Sequence, residues 1–147
     1  MSTRRTRWIA VGAIAGLLLL AVPGGALAGN NTVITLTSLS SGETFTATGG
    51  VVCPSGTATT DFKKFGGSNH SAAGSFHLTK TLVCNDSSGS FTIVVNAATV
   101  FGHPTDQGGW AVLSGTGAYA TLHGGGNLVG TYVPDGIIDS YTGSLSK

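Results

Sequence analysis

The chain has no arginine after residue 7 and few charges of either sign. From residue 29 onward it carries four lysines and six carboxylates, which gives a net charge of −2. Arginine provides the bidentate contacts that hold phosphates and guanine edges, and a positive surface attracts polyanions. The lack of both argues against a nucleic-acid partner and against binding to an anionic lipid surface.

Cysteine is also scarce, since Cys53 and Cys84 are the only two in the chain, and the four histidines are scattered. A zinc site built on two cysteines needs further ligands at a short, regular spacing. In an exported protein, an even number of cysteines first indicates a disulfide. We therefore expect a Cys53–Cys84 disulfide, no metal site and no bound cofactor.

Residues 1–28 have the order of a signal peptide. Three arginines precede an unbroken apolar run over residues 9–22, which is followed by Pro-Gly-Gly and then Ala-Leu-Ala. The run is shorter than the roughly 20 residues that a membrane-spanning helix needs. We expect cleavage after Ala28, a secreted or extracytoplasmic protein, and no stable membrane anchor after cleavage. Arg7 and the leucine run favour the general secretory route over the twin-arginine route.

Residues 29–147 predict a single all-β domain. Apolar and polar residues alternate with a period of two in short runs, and no long helix is indicated. Candidate strands cover residues 33–39, 44–53, 57–65, 75–84, 90–100, 109–114, 126–133 and 137–145, divided by turns rich in glycine, proline, asparagine and aspartate. Eight short strands with tight connections favour an antiparallel barrel, which removes exposed sheet edges. A two-sheet sandwich is the alternative.

The expected disulfide constrains this barrel. Cys53 ends the second candidate strand and Cys84 the fourth, so both lie at the same rim but two strands, or about 10 Å, apart. A disulfide needs the two Cα atoms within about 7 Å. Either the turn that begins at Pro54 folds inward, or the strands do not follow a simple meander.

Residues 110–126 read Trp-Ala-Val-Leu-Ser-Gly-Thr-Gly-Ala-Tyr-Ala-Thr-Leu-His-Gly-Gly-Gly. A strand that runs into Gly-Thr-Gly, then an aromatic residue and a glycine cluster, resembles the allene oxide cyclase and dirigent barrel superfamily. The segment from Asp139 to Gly143 is a looser match. The resemblance implies an eight-stranded antiparallel barrel with a central cavity, in proteins that steer reactions of bound small molecules or in bacterial secreted barrels. No catalytic residue of those enzymes can be matched, and Leu-His-Gly stands where the plant proteins often have Ala-Arg-Gly.

Strand alternation places one charge on each of two apolar faces. Lys80 shares a face with Phe76, Leu78 and Leu82, and Asp139 shares a face with Ile137, Tyr141 and Leu145. A buried charge is costly unless it is paired, so Lys80 and Asp139 could form a pair across the lumen that contacts a polar ligand atom. A bulge or register slip that turns either residue to solvent is the default explanation.

Other residues are weaker candidates for a ligand site. Trp110 and Tyr119 are expected to cap the barrel core more readily than to form a ligand platform, and His123 is the basic residue of the Gly-rich segment. His103 and Asp106 could perform acid–base chemistry, but a solvated loop is the favoured interpretation. No catalytic residue is assigned.

Three functional hypotheses follow. The first is a non-enzymatic exported barrel that binds a small apolar or mixed ligand, or a surface partner. The second is a cyclase-like or dirigent-like enzyme that acts in an open lumen; a lumen filled by Phe76, Leu78, Phe91, Ile93 and Tyr141 would count against it. The third is a structural protein of the cell envelope. The identity of the ligand and the oligomeric state do not follow from the sequence.

Overall fold

Eight antiparallel strands, paired in chain order, close into a barrel in the computed structural model of this protein, which describes residues 30–67 and 72–147. The strands are β1 (Asn30–Leu39), β2 (Gly42–Thr48), β3 (Ser55–Gly66), β4 (Ala73–Cys84), β5 (Ser90–Val100), β6 (Thr105–Gly115), β7 (His123–Val133) and β8 (Gly136–Ser146). A single 3-10 turn, Gly117–Tyr119, lies between β6 and β7. The predicted barrel is confirmed and the sandwich alternative is not adopted. The predicted signal peptide, residues 1–28, lies outside the described residues.

The first and last strands join to close the barrel. Leu36 of β1 lies opposite Phe45 of β2 on one side and opposite Asp139 of β8 on the other. Inward-facing positions alternate with outward-facing ones along each strand, as in β5, where every second residue from Phe91 to Thr99 is buried. The predicted bounds of β5 match the structure, because this strand alternates without interruption.

Four predicted strands need correction. β1 begins at Asn30 instead of residue 33. β2 ends at Thr48 instead of residue 53, because Gly49 and Gly50 take φ values of +104° and +74° and turn the chain out of the sheet. β6 begins at Thr105 instead of residue 109, and β7 begins at His123 instead of residue 126. In the last two cases strand pairing extends into glycine-rich sequence that has little strand propensity of its own.

One end of the barrel is closed by the chain between β2 and β3. Val51, Val52 and Cys53 are buried there. Cys53 forms a disulfide with Cys84, with the two Cα atoms 5.9 Å apart. The inward fold of this segment explains how a disulfide forms within a simple meander. The predicted disulfide is therefore confirmed, and it holds the closed end together.

An aromatic core completes the closed end. The ring of Phe91 packs edge-on against Phe45 at 6.1 Å and against Tyr119 at 5.6 Å between centroids. Leu82, Ile93 and Leu145 are also buried in this cluster. This half of the barrel interior is filled by side chains.

A β-bulge shapes the opposite end. The pairing of β3 with β4 shifts between Phe62 and Lys64, so that Phe62 lies opposite Leu78 and Phe65 lies opposite Phe76. The extra residue places two phenylalanines three positions apart on one face of the strand. Phe65, Phe76 and Phe101 stack at this end, with centroids 5.2 Å and 6.4 Å apart.

Candidate functional site

The half of the barrel away from the disulfide contains a cavity of about 450 Å³. It lies at the end that carries the β1–β2, β5–β6 and β7–β8 turns. Several inward-facing positions here carry small or short side chains, such as Ala97, Thr60 and Ser38, which leaves the interior of this half unfilled. Most of the wall is apolar and includes Phe62, Phe76, Leu78, Val95, Leu128 and Ile137.

Lys80 projects from β4 into this cavity and is only 4% exposed. Its Nζ donates hydrogen bonds to Thr60 Oγ1 at 3.0 Å and to Ser38 Oγ at 3.3 Å. Nζ also lies 3.4 Å from Asp139 Oδ2 and 3.8 Å from Glu43 Oε1. An ammonium group has three N–H donors, and these neighbours occupy them.

Asp139 enters from β8 and is equally buried. The default explanation, a bulge or slip that exposes Lys80 or Asp139, is wrong, because the register is continuous through both residues. The bulge of this region lies at residue 63, where it does not reverse the direction of Lys80. Strand alternation had therefore placed both charges on the correct face.

Tyr141 adds a donor to this pair. It is fully buried, lines the cavity, and donates its hydroxyl hydrogen to Asp139 Oδ2 at 3.0 Å. Burial, followed by the negative charge of Asp139, raises the pKa of Tyr141 far above its ordinary value. The phenol stays protonated and remains a donor.

Asp106 also lines the cavity, which corrects the interpretation of residues 103–106 as a solvated loop. His103 is indeed exposed in the turn, but Asp106 belongs to β6 and is 6% exposed. Its Oδ2 accepts a hydrogen bond from the Tyr132 hydroxyl at 3.3 Å. Its Oδ1 is buried and has no hydrogen-bond partner among the described residues. Burial, and then the charge of Asp139, raises the pKa of Asp106.

Asp106, Gly130 and Asp139 form one row across β6, β7 and β8. Gly130 is paired with Asp106 on one side and with Asp139 on the other. The Oδ1 atoms of both carboxylates lie within 2.8 Å of the position that a Cβ of residue 130 would occupy. A side chain at residue 130 could be accommodated only if both carboxylates moved away, so glycine permits the arrangement seen here.

The polar part of the cavity therefore carries an excess of acid. Glu43, Asp106 and Asp139 line it, and Lys80 is the only lysine or arginine among its described lining residues. Glu43 is the most accessible of the three carboxylates, and both its oxygens accept from the Thr60 hydroxyl, at 2.7 and 3.0 Å. Sequence alternation identified Lys80, Asp139 and Tyr141 but missed Asp106 and Glu43. Counting back in steps of two from the inward-facing Trp110 would have placed Asp106 on the lumen side.

The other three sequence candidates do not line the cavity. Trp110 packs edge-on behind Tyr141, with centroids 5.9 Å apart. Tyr119 belongs to the closed end, where its hydroxyl is 2.9 Å from Ser88 Oγ. Trp110 and Tyr119 are thus core residues, as expected. His123 is exposed on β7 and bonds through Nε2 to Ser146 Oγ at 2.9 Å.

In residues 30–67 and 72–147 no group of three histidine, cysteine, aspartate or glutamate side chains is arranged to hold a metal ion. Over the same residues no helix has the length and apolar character required to cross a membrane.

No protein-family model, curated protein or solved structure matches this chain. The likeness of residues 110–126 to allene oxide cyclases and dirigent proteins stays a prediction. The function is therefore inferred from the cavity.

Proposed function

We propose that this chain is an exported binding protein that holds a small, mostly apolar molecule in the open half of its barrel. The observation that carries the proposal is the cavity of about 450 Å³ above a packed floor. Small-molecule sites are typically concave, between about 300 and 1,000 Å³, and apolar with a few placed polar groups. The wall described above has this composition.

The distribution of side chains supports a ligand that enters from one end only. Phe91 and Ile93 fill the closed half, whereas Phe76, Leu78 and Tyr141 line the open one. Exposed aromatic rings stand at the mouth, where Phe62 and Phe65 are 59% and 49% exposed. Rings at an entrance provide apolar contact area for an incoming molecule.

The compartment is inferred from the disulfide and from residues 1–28. The Cys53–Cys84 disulfide is consistent with an extracytoplasmic location. We extend this to secretion by the general secretory route, which the apolar run over residues 9–22 supports. Sequencing of the exported protein should begin at Gly29. A membrane-bound form that retains residues 9–22 would contradict secretion.

Binding can be tested with a neutral, polarity-sensitive dye and with extracts. The purified protein should increase the fluorescence of the dye, and a metabolite or lipid extract should supply a molecule that stays bound in native mass spectrometry. Ala97 lines the cavity and Ala98 faces solvent on the same strand. Ala97→Leu should weaken dye binding and Ala98→Leu should not. Equal binding by both variants, or no retained molecule from any extract, would contradict the proposal.

A second candidate function is a cyclase-like or dirigent-like enzyme. It is favoured by the open lumen and by Asp106, a buried carboxyl group with a raised pKa in the wall of an apolar cavity, which is a candidate proton donor. Incubation with extracts should then convert a bound molecule into an isomer of the same mass but different chromatographic retention. Asp106→Asn should abolish this conversion while the dye still binds. Unchanged extracts with the wild-type protein would refute the enzymatic alternative.

A further inference from the structure

The ammonium group of Lys80 already has hydrogen-bond and ion-pair partners within the protein. It contacts Thr60, Ser38 and Asp139, and Glu43 lies just beyond. A ligand carboxylate or phosphate would have to displace these contacts and approach three acidic side chains. The cavity is therefore unsuited to an anionic head group.

One buried carboxylate oxygen in the cavity, in contrast, lacks a donor. Asp106 is only 6% exposed and its side chain lines the cavity. Its Oδ1 has no hydrogen-bond partner among the described residues. The Oδ1 of Asp139 points to the same place above Gly130. A buried carboxylate without a donor is unfavourable, and so is a pair of like charges.

We propose that the molecule held in this cavity carries a positively charged amino group, which binds at Asp106 and Asp139 while its apolar part contacts the aromatic and aliphatic wall. This inference rests on the proposed binding function. An ammonium group offers three N–H donors, and its hydrogen bonds to carboxylates are charge-assisted. It would supply the missing donor to Asp106 and offset the excess of negative charge in the cavity.

Binding of a cation should be coupled to a proton. The groups that face Asp106 are Asp139, Lys80, the Tyr132 hydroxyl and the backbone of Gly130, and in the empty cavity burial and Asp139 favour its protonated form. A bound ammonium favours the ionised form instead. At a pH where Asp106 of the empty cavity is still protonated, the ligand should therefore release a proton when it binds, and its affinity should rise with pH until Asp106 is ionised without it.

Decylamine, decanol and decanoate test the head group, because they share one chain and differ in charge. Each would compete with the neutral dye at pH 7. The affinity for decylamine should be at least about tenfold higher than that for decanol, in line with a charge-assisted hydrogen bond, and decanoate should bind weakest. Asp106→Asn should remove most of the preference for decylamine over decanol, and this ratio is read within each variant, whatever happens to the affinity for decanol itself. Asp61→Asn is the control, because Asp61 is exposed on the outer wall.

The outcomes separate the two proposals. If decanol and the dye bind but decylamine is no better, or if its advantage survives in Asp106→Asn, the cationic ligand is refuted while the binding protein stands. If no probe binds, both fail. Calorimetry of wild-type protein in buffers of different ionisation enthalpy does not depend on the variant folding. Proton release with decylamine at any pH between about 4 and 8 supports the inference, and its absence over that whole range overturns it.

Discussion

Replacing Lys80 by methionine tests whether the buried charges of this barrel depend on one another. Methionine keeps most of the apolar stem but removes the cation that Asp139 and Glu43 face. Removing one partner of a buried pair typically costs about 3–5 kcal/mol. The matched change, Lys63→Met, removes an exposed partner of Asp61, with side chains 48% and 60% exposed, and should cost about 0–1 kcal/mol.

The stability lost in Lys80→Met should depend on pH, because a carboxylate left without the lysine can be neutralised by taking up a proton. This costs about 1.4 kcal/mol for each pH unit above the ordinary carboxyl pKa of about 4, or about 4 kcal/mol at pH 7 and about 1.4 kcal/mol at pH 5. Folded Lys80→Met would then bind a proton that the unfolded chain does not, so its stability falls as pH rises. The difference from wild type should shrink by about 2–3 kcal/mol between pH 7 and pH 5.

Urea unfolding at both pH values measures these free energies. The double change Lys80→Met with Asp139→Leu should recover much of the loss, because it removes a charge of each sign. Together with the wild type and the two single variants, Lys80→Met and Asp139→Leu, it closes a thermodynamic cycle. A coupling energy near zero, or a loss from Lys80→Met that is equal at pH 5 and pH 7, would refute the reasoning.

Three further predictions concern the disulfide, the carboxylate row and its proton. Denatured, unreduced protein should contain no titratable thiol, and Cys53→Ser should cost about 2–5 kcal/mol in urea unfolding. Gly130→Ala should cost about 1–3 kcal/mol, because the new Cβ collides with both carboxylates, whereas the Cβ of Gly109→Ala meets its nearest atom at 3.6 Å and should cost much less. The raised pKa of Asp106 makes the folded state lose stability as pH rises from about 4 through that pKa, so Asp106→Asn should flatten this part of the stability profile; an unchanged profile would contradict it.

The barrel could be predicted because strand alternation is a pattern within short stretches of sequence, and the disulfide because the chain has only two cysteines. β5 alternates without a break from Phe91 to Thr99, so its length and its inward face are both evident. The same alternation correctly placed Lys80 and Asp139 inside. The inward fold near Cys53 was one of the two arrangements that the distance limit on the disulfide allowed, since strands two apart are too far separated for the bond.

Asp106 was missed because local propensity contradicts its position. The stretch from Gly102 to Gly109 combines glycine, proline, aspartate and glutamine, which are poor strand formers. In the barrel this stretch is flanked by β5 and β7, and both pair with it. Pairing on two sides overrides the weak preference of the segment itself. The contacts of Glu43 and Thr60 with Lys80 were equally out of reach, because they depend on the registers of three strands at once.

Gly130 shows why the polar site could not be predicted from the positions of titratable residues alone. In the sequence it is one of 24 glycines and lies in an ordinary strand pattern. Its importance comes only from its place between Asp106 and Asp139, where the missing side chain lets two carboxylates converge. Like charges brought together inside an apolar wall are costly unless a proton or a cation lies between them. Gly130 therefore permits an unfavourable interaction between two carboxylates in this cavity, and that interaction is the basis for expecting a cationic ligand.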